Sequence, residues 1–168
     1  FQPVIRPALP VVKRADWIRN PIDHFVLARL QAAGLSPAMQ AERRTLIRRA
    51  SLDLTGLPPS PAAVSDFLAD TRPGAFQRLV DSLLASPRYG EQWGRHWLDV
   101  ARYSDGMGGS TNNARLPHAW RYRDWVVNAW NQDLPFDSFV RSQLAGDLTG
   151  RWQDRPAVGF VALGPSYV

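Results

Sequence analysis

A chain of 168 residues, 45% of them hydrophobic, suits one domain that buries roughly 70% of the surface its unfolded form exposes. Its 20 basic residues, all arginine apart from Lys13, outnumber 15 acidic ones for a net charge of +5. They are scattered beside Asp and Glu with no basic tail or base-stacking strand motif, which argues against a nucleic-acid partner. The absence of cysteine excludes disulfides, thioether-linked haem, iron–sulfur clusters and thiolate zinc sites within this chain, and no apolar run approaches the ~20 residues of a transmembrane segment.

Residues 1–19, beginning F-Q-P-V-I-R-P-A-L-P, read as an extended arm or linker entering mid-protein, with no signal-peptide pattern at Phe1. The chain is therefore expected to be a processed or excised part of something longer, with a helical domain over 20–164 and a truncated or processed end at 165–168. Asn20-Pro21, Ser36-Pro37, Ser60-Pro61 and Ser86-Pro87 each place a capping side chain before a proline, and each predicts a helix start. The first helix runs from Pro21 to about Ala33, with Ile22, Phe25, Val26, Leu30 and Ala33 inward and Gly34 as its left-handed cap. A second spans Gln40 to Leu54; Leu46, Ala50 and Leu54 face inward, and Arg43, Arg44, Arg48 and Arg49 form a solvated face. A short third follows from Pro61 to Ala69, and an amphipathic fourth between Pro73 and Ser86 carries Phe76, Leu79, Val80, Leu83 and Leu84.

The densest chemistry lies in Glu91 to Asp105, E-Q-W-G-R-H-W-L-D-V-A-R-Y-S-D. At the helical period Trp93, Trp97, Val100 and Ala101 make a core stripe, while His96, Asp99 and Tyr103 fall on an adjacent one. An imidazole, a carboxylate and a phenol on one helix edge suit acid–base work, with Asp99 orienting His96. The competing reading pairs Asp99 with Arg95 and Arg102 in a surface ladder and leaves His96 with a local hydrogen bond. A loop, Ser104 to Pro117, follows; its Gly-x-Gly-Gly run, Gly106 to Gly109, lacks the Lys-Ser/Thr of a phosphate loop. Asp105, Asn112 and Asn113 offer oxygen ligands for calcium, although their spacing matches no EF-hand. Trp120, Tyr122, Trp125, Val126 and Trp130 then mark a helix, and Phe136, Phe139, Val140 and Leu144 another. Only Ala157 to Leu163 reads as extended. The fold expected is mainly α, a single compact domain of about six or seven helices joined by Pro- and Gly-rich connections.

Further signatures are R-T-L-I-R-R-A-S-L-D-L-T-G-L-P-P-S-P at Arg44 to Pro61, L-L-A-S-P-R-Y-G-E at Leu83 to Glu91, A-W-R-Y-R-D-W-V-V-N-A-W-N at Ala119 to Asn131, and D-L-P-F-D-S-F-V-R-S-Q-L-A-G-D-L at Asp133 to Leu148. With these, the chain from Asn20 to Gly164 resembles the planctomycete-type cytochrome c-associated domains of unknown function. The resemblance implies a large extracytoplasmic bacterial protein, periplasmic or at the cell surface, whose partners are other domains or subunits of a cytochrome-linked assembly. It implies no known reaction. It also implies a Cys-x-x-Cys-His haem motif beyond the Gly159 to Pro165 segment, so haem c belongs to the longer protein and no cofactor to this chain. A haem docked from there makes His96 or His118 a candidate distal ligand, whereas His24 reads as a surface residue.

Two functions are therefore expected. One is a redox-associated or ligand-binding pocket where the His96 stripe meets the loop and the Trp120 helix. Its catalytic candidates are His96, Asp99 and Tyr103, and Arg102, Asp105, Arg121, Arg123 and Asp124 hold a ligand such as a carboxylate, sulfate or sugar acid; no metal is assigned. The other is an interaction module that scaffolds partner domains, which an exposed apolar patch around Trp17, Trp120 or Trp152 distinguishes from a concave polar site.

Overall fold

Asn20 opens the first helix as its sequence predicts. Its side chain accepts from the Ile22 amide at 2.9 Å, and Asp23 accepts from the Asn20 amide at 3.1 Å, a reciprocal pair that satisfies amides orphaned at a helix start. In the computed structural model, which describes residues 2–106, 116–149 and 151–163, this helix is α1, Pro21–Ala32, preceded by a 3-10 turn at Ala15–Trp17. The chain divides into two compact units, Phe1–Ala41 and Glu42–Val168.

In the first unit, α1 ends at Gly34 with φ 68°. The Gly34 amide donates to the Gln31 carbonyl and the Leu35 amide to that of Leu30, closing the helix in a Schellman turn. His24 Nδ1 lies 3.0 Å from the Pro10 carbonyl, fastening the arm to the helix. The expected inward stripe is only partly right. Leu27 is fully buried and Phe25 and Leu30 are half-buried, while Ile22, Val26 and Ala33 are exposed. Apolar residues surround α1 on several sides, so its periodicity does not single out one face.

The second unit contains α2 (Arg43–Thr55), α3 (Pro61–Ala69), α4 (Ala75–Leu84), α5 (Pro87–Val100), α6 (Ala119–Asn131), α7 (Phe136–Ala145) and a 3-10 segment, Trp152–Leu163. The protein is mainly α, with no strand among the described residues. Ser60 and Ser86 cap α3 and α5, accepting from the amides of Ala63 and Arg88. Ser36-Pro37 starts no helix: α2 begins only at Arg43, because a cap without a following apolar stripe does not offset the cost of helix nucleation. Ala157 to Leu163, expected to be extended, lies in the 3-10 segment instead. Small residues let it pack flat there. Ala157 is fully buried, and a side chain at Gly159 would meet Tyr122 Cβ at 2.9 Å.

Two cores hold this unit. Ile47, Phe67 and Ala75 form one between α2, α3 and α4; Tyr122, Trp125, Val126, Ala129, Phe139 and Ala157 form the other, joined by Trp97, Leu98 and Phe160. Full burial of Ile47 or Val126 stabilises by about 1.5–3 kcal/mol each. Arg43 departs from the solvated face expected of the α2 arginines. Its guanidinium lies 4.1 Å from the Phe67 ring centre and donates to the carbonyls of Phe67 and Asp70, so it fastens α2 to the end of α3. Arg72 and Arg78 both donate to Asp70 and hold its carboxyl well below the usual carboxylate range.

Candidate functional site

Val100 is the last residue of α5, and Arg102 adopts φ 57°. The Arg102 amide donates to the Asp99 carbonyl and the Tyr103 amide to that of Leu98, a Schellman ending in which Arg102 occupies the left-handed position usually given to glycine. Tyr103 therefore leaves the helix, and the expected His96, Asp99 and Tyr103 stripe on one helix is not formed. His96 and Asp99 lie on the exposed face, with the His96 ring edge-on to Trp93 at 5.6 Å. Asp99 has no ion pair with Arg95 or Arg102 among the described residues, so the surface ladder is not formed either. Val100, expected in the core stripe, is 76% exposed; the close face of α5 is made instead by Gly90 and Gly94, with Trp97, Leu98 and Ala101 half-buried beside them.

Tyr103 turns inward against Tyr122, with ring centres 6.2 Å apart, and its hydroxyl donates to Asp105 Oδ1. Arg123 reaches the same Asp105 oxygen at 3.8 Å and holds Asp124 Oδ1 through Nε and Nη2, both at 3.0 Å. Four of the eight expected residues, Tyr103, Asp105, Arg123 and Asp124, thus converge. Their charges are part-exposed, so each ion pair contributes at most about 1 kcal/mol. Asn112, Asn113 and the part of the glycine-rich run at 107–109 lie outside the described residues.

Arg121 belongs to a different place. Its guanidinium lies 5.6 Å from the Trp120 ring centre, a cation–π contact that restrains a long side chain. It lines a cavity of about 480 Å³ with His118, Tyr122, Arg155, Pro156 and Gly159. Neither Arg121 nor Arg155 has a carboxylate within 4.0 Å among the described residues. Two guanidiniums without counter-ions among the described residues therefore border one concave, mostly apolar space, which is large enough for a small organic ligand. His96, Asp99 and Arg102 do not line it.

The family model of PSCyt2, a protein of unknown function (DUF1549), matches residues 21–167. The chain belongs to this family. The PSCyt2 name refers to planctomycete cytochrome c association, and no curated protein or solved structure matches the chain. In this PSCyt2 chain there is no cysteine to carry haem thioethers. No group of three or more His, Cys, Asp or Glu side chains is placed to hold a metal among the described residues. Of the two candidate iron ligands, His96 stands on the exposed face of α5 and His118 lines the arginine cavity.

Arg155 and Gly159 of this PSCyt2 chain escaped sequence reasoning: Arg155 falls in no predicted element, and Gly159 lies in the Ala157 to Leu163 stretch that reads as extended, whereas both belong to the 3-10 segment. The one available signal was Gly159, a residue without a side chain where the backbone passes close to Tyr122. Tyr103 has a legible consequence of its position: burial, then its bond to Asp105, pushes its phenol up to about 12. At neutral pH it is a hydrogen-bond donor and not a base. Since its folded value lies above the ordinary value of about 10, its contribution to stability is complete below pH ~10 and is lost as pH rises toward ~12. In an alkaline absorbance titration, Tyr103→Phe should remove a late-ionising phenol and flatten that loss; an unchanged curve would contradict the placement.

Proposed function

We propose that this chain is a ligand-binding helical module of an extracytoplasmic, c-type-cytochrome-linked bacterial protein, and that its cavity at the start of α6 takes an organic anion, a carboxylate or sulfate carried on a ring. The observation that carries this reading is the pair Arg121 and Arg155 lining one cavity with no carboxylate partner among the described residues. A guanidinium presents a planar fork of donors that matches a carboxylate or sulfate edge. The apolar walls from Pro156, Gly159 and the Tyr122 side chain suit the body of such a ligand better than a free inorganic ion. The membership of a family named for cytochrome c association supports the wider setting.

Calorimetric titration with glucuronate, glucose 6-sulfate and neutral glucose tests the site. The two anions should bind, glucose should not, and Arg121→Ala or Arg155→Ala should each weaken binding by about tenfold or more, the scale of one charge-assisted hydrogen bond. Equal binding of glucose, or indifference to both substitutions, would remove the anion reading.

A second reading, an interaction module, is favoured by Trp152, which is 72% exposed in the 3-10 segment. Large apolar side chains in such positions commonly mark protein contacts. Concentration-dependent self-association in sedimentation that Trp152→Ser abolishes would support it, and a monomer at all concentrations would count against a self-assembling scaffold.

A further inference from the structure

The end of α6 repeats the geometry at the end of α5 with the opposite charge. The Asp133 amide donates to the Trp130 carbonyl and the Leu134 amide to that of Ala129, so Asp133 holds the left-handed position of a second Schellman turn, at φ 48°. Glycine fills that position without steric conflict, as Gly34 does after α1. Aspartate is one of the few non-glycine residues that adopt this conformation, and here it is exposed. Asp133 is also one of the residues that line a second cavity.

That cavity, of about 400 Å³, lies between α5, α6 and the start of α7 and is lined by Trp97, Trp130, Leu134, Phe136 and Phe139 as well as Asp133. Four of the lining side chains are aromatic. Trp97 is locked by its Nε1–H, which donates to the Tyr122 hydroxyl at 2.9 Å and to Gln143 Oε1 at 3.0 Å, and by its edge-on contact with Phe139 at 4.9 Å. Phe136 is 72% exposed and forms the open side. No cationic side chain lies within 4.0 Å of the Asp133 carboxylate among the described residues.

We propose that this second cavity binds a small organic cation of the quaternary ammonium type, held among the aromatic side chains Trp97, Trp130 and Phe136 that line it, with Asp133 as its counter-ion. Aromatic faces carry negative quadrupole potential and attract soft cations, with tryptophan the strongest. A neutral apolar guest would fill the same walls but would desolvate Asp133 without compensating it. An anion would meet both the carboxylate and the ring faces with the wrong sign. The occupant therefore differs in kind from that of the arginine cavity, and the two sites stand or fall separately.

Choline and its neutral isostere 3,3-dimethyl-1-butanol distinguish the possibilities, with tryptophan fluorescence and calorimetry as readouts. Choline should bind, and the neutral alcohol should bind about tenfold more weakly, equivalent to about 1.4 kcal/mol. Asp133→Asn keeps a residue that tolerates the left-handed region and should reduce choline affinity by a similar factor while leaving the circular dichroism spectrum unchanged. Asp133→Gly should lose choline binding equally and melt no lower than the parent chain, which separates loss of the site from loss of the fold. Absence of choline binding, equal affinity for the alcohol, or an Asp133→Asn protein with parental affinity would each overturn the proposal.

Discussion

Trp97→Ala should lower the free energy of unfolding by about 3–5 kcal/mol, the range for truncating a packed tryptophan, whereas Val100→Ala and His96→Ala on the same helix should each change it by less than about 0.5 kcal/mol. The contrast follows from what each side chain touches. Trp97 meets Phe139 edge-on and lies against Phe160 at 6.4 Å, and it donates to the Tyr122 hydroxyl and Gln143 Oε1. The Tyr122 hydroxyl itself donates to Gln143 at 2.7 Å, and Gln143 Nε2 donates to the Phe139 carbonyl. This closed network joins α5, α6 and α7 through buried polar atoms, and each bond removed leaves a partner to be desolvated without recompense. Trp97→Phe, which keeps much of the ring but removes the donor, should fall between the extremes at about 1–2 kcal/mol. Urea denaturation of the four variants is the measurement. If Trp97→Ala were no more harmful than Val100→Ala, the network would not be the joint of this unit.

The helices were legible because their starts and stops are written in local chemistry. Asn20, Ser60 and Ser86 cap in the structure as their sequence contexts suggest, and Gly34 and Gly56 close helices with positive φ. The buried faces were less legible. The Trp93, Trp97 and Val100 stripe counts large apolar residues, but α5 approaches α6 through Gly90 and Gly94, and hydrophobic periodicity assigns no weight to a glycine. Similarly, nothing in the spacing of His96, Asp99 and Tyr103 announces that Arg102 will adopt a left-handed conformation and carry Tyr103 out of the helix, since an arginine is not the residue expected there. Arg121 could be singled out by its place beside Trp120. Its companion Arg155 is 34 positions later in a segment without helical period, and only the tertiary fold brings the two guanidiniums to one cavity.

The two glycines of α5 should respond in opposite ways to the same added methyl group. At Gly90, a Cβ would intrude on the Val127 carbonyl oxygen and stand 2.6 Å from both Cγ and Oδ1 of Asn131. The Val127 obstacle is backbone, so rotation of a side chain cannot relieve it, and Asn131 is held in place because the Gly90 amide donates to its Oδ1 at 2.7 Å and its Nδ2 donates to the Pro87 carbonyl at 3.2 Å. Relief requires α5 and α6 to separate, which loosens the packing between them and breaks those bonds. At Gly94, the nearest atoms to an added Cβ are Val126 Cγ1 and Val127 Cα and Cγ2, all at 3.5 Å, ordinary contact distance. Alanine there also removes glycine's conformational freedom in the unfolded chain and improves helix propensity by roughly 0.5–1 kcal/mol. Gly90→Ala is therefore expected to destabilise by about 1–3 kcal/mol, the usual range for overpacking, while Gly94→Ala is expected to be neutral or to stabilise by up to about 1 kcal/mol. Thermal melts of the two variants against the parent chain decide the matter: two shifts of the same sign and size would mean that α5 and α6 do not cross at Gly90.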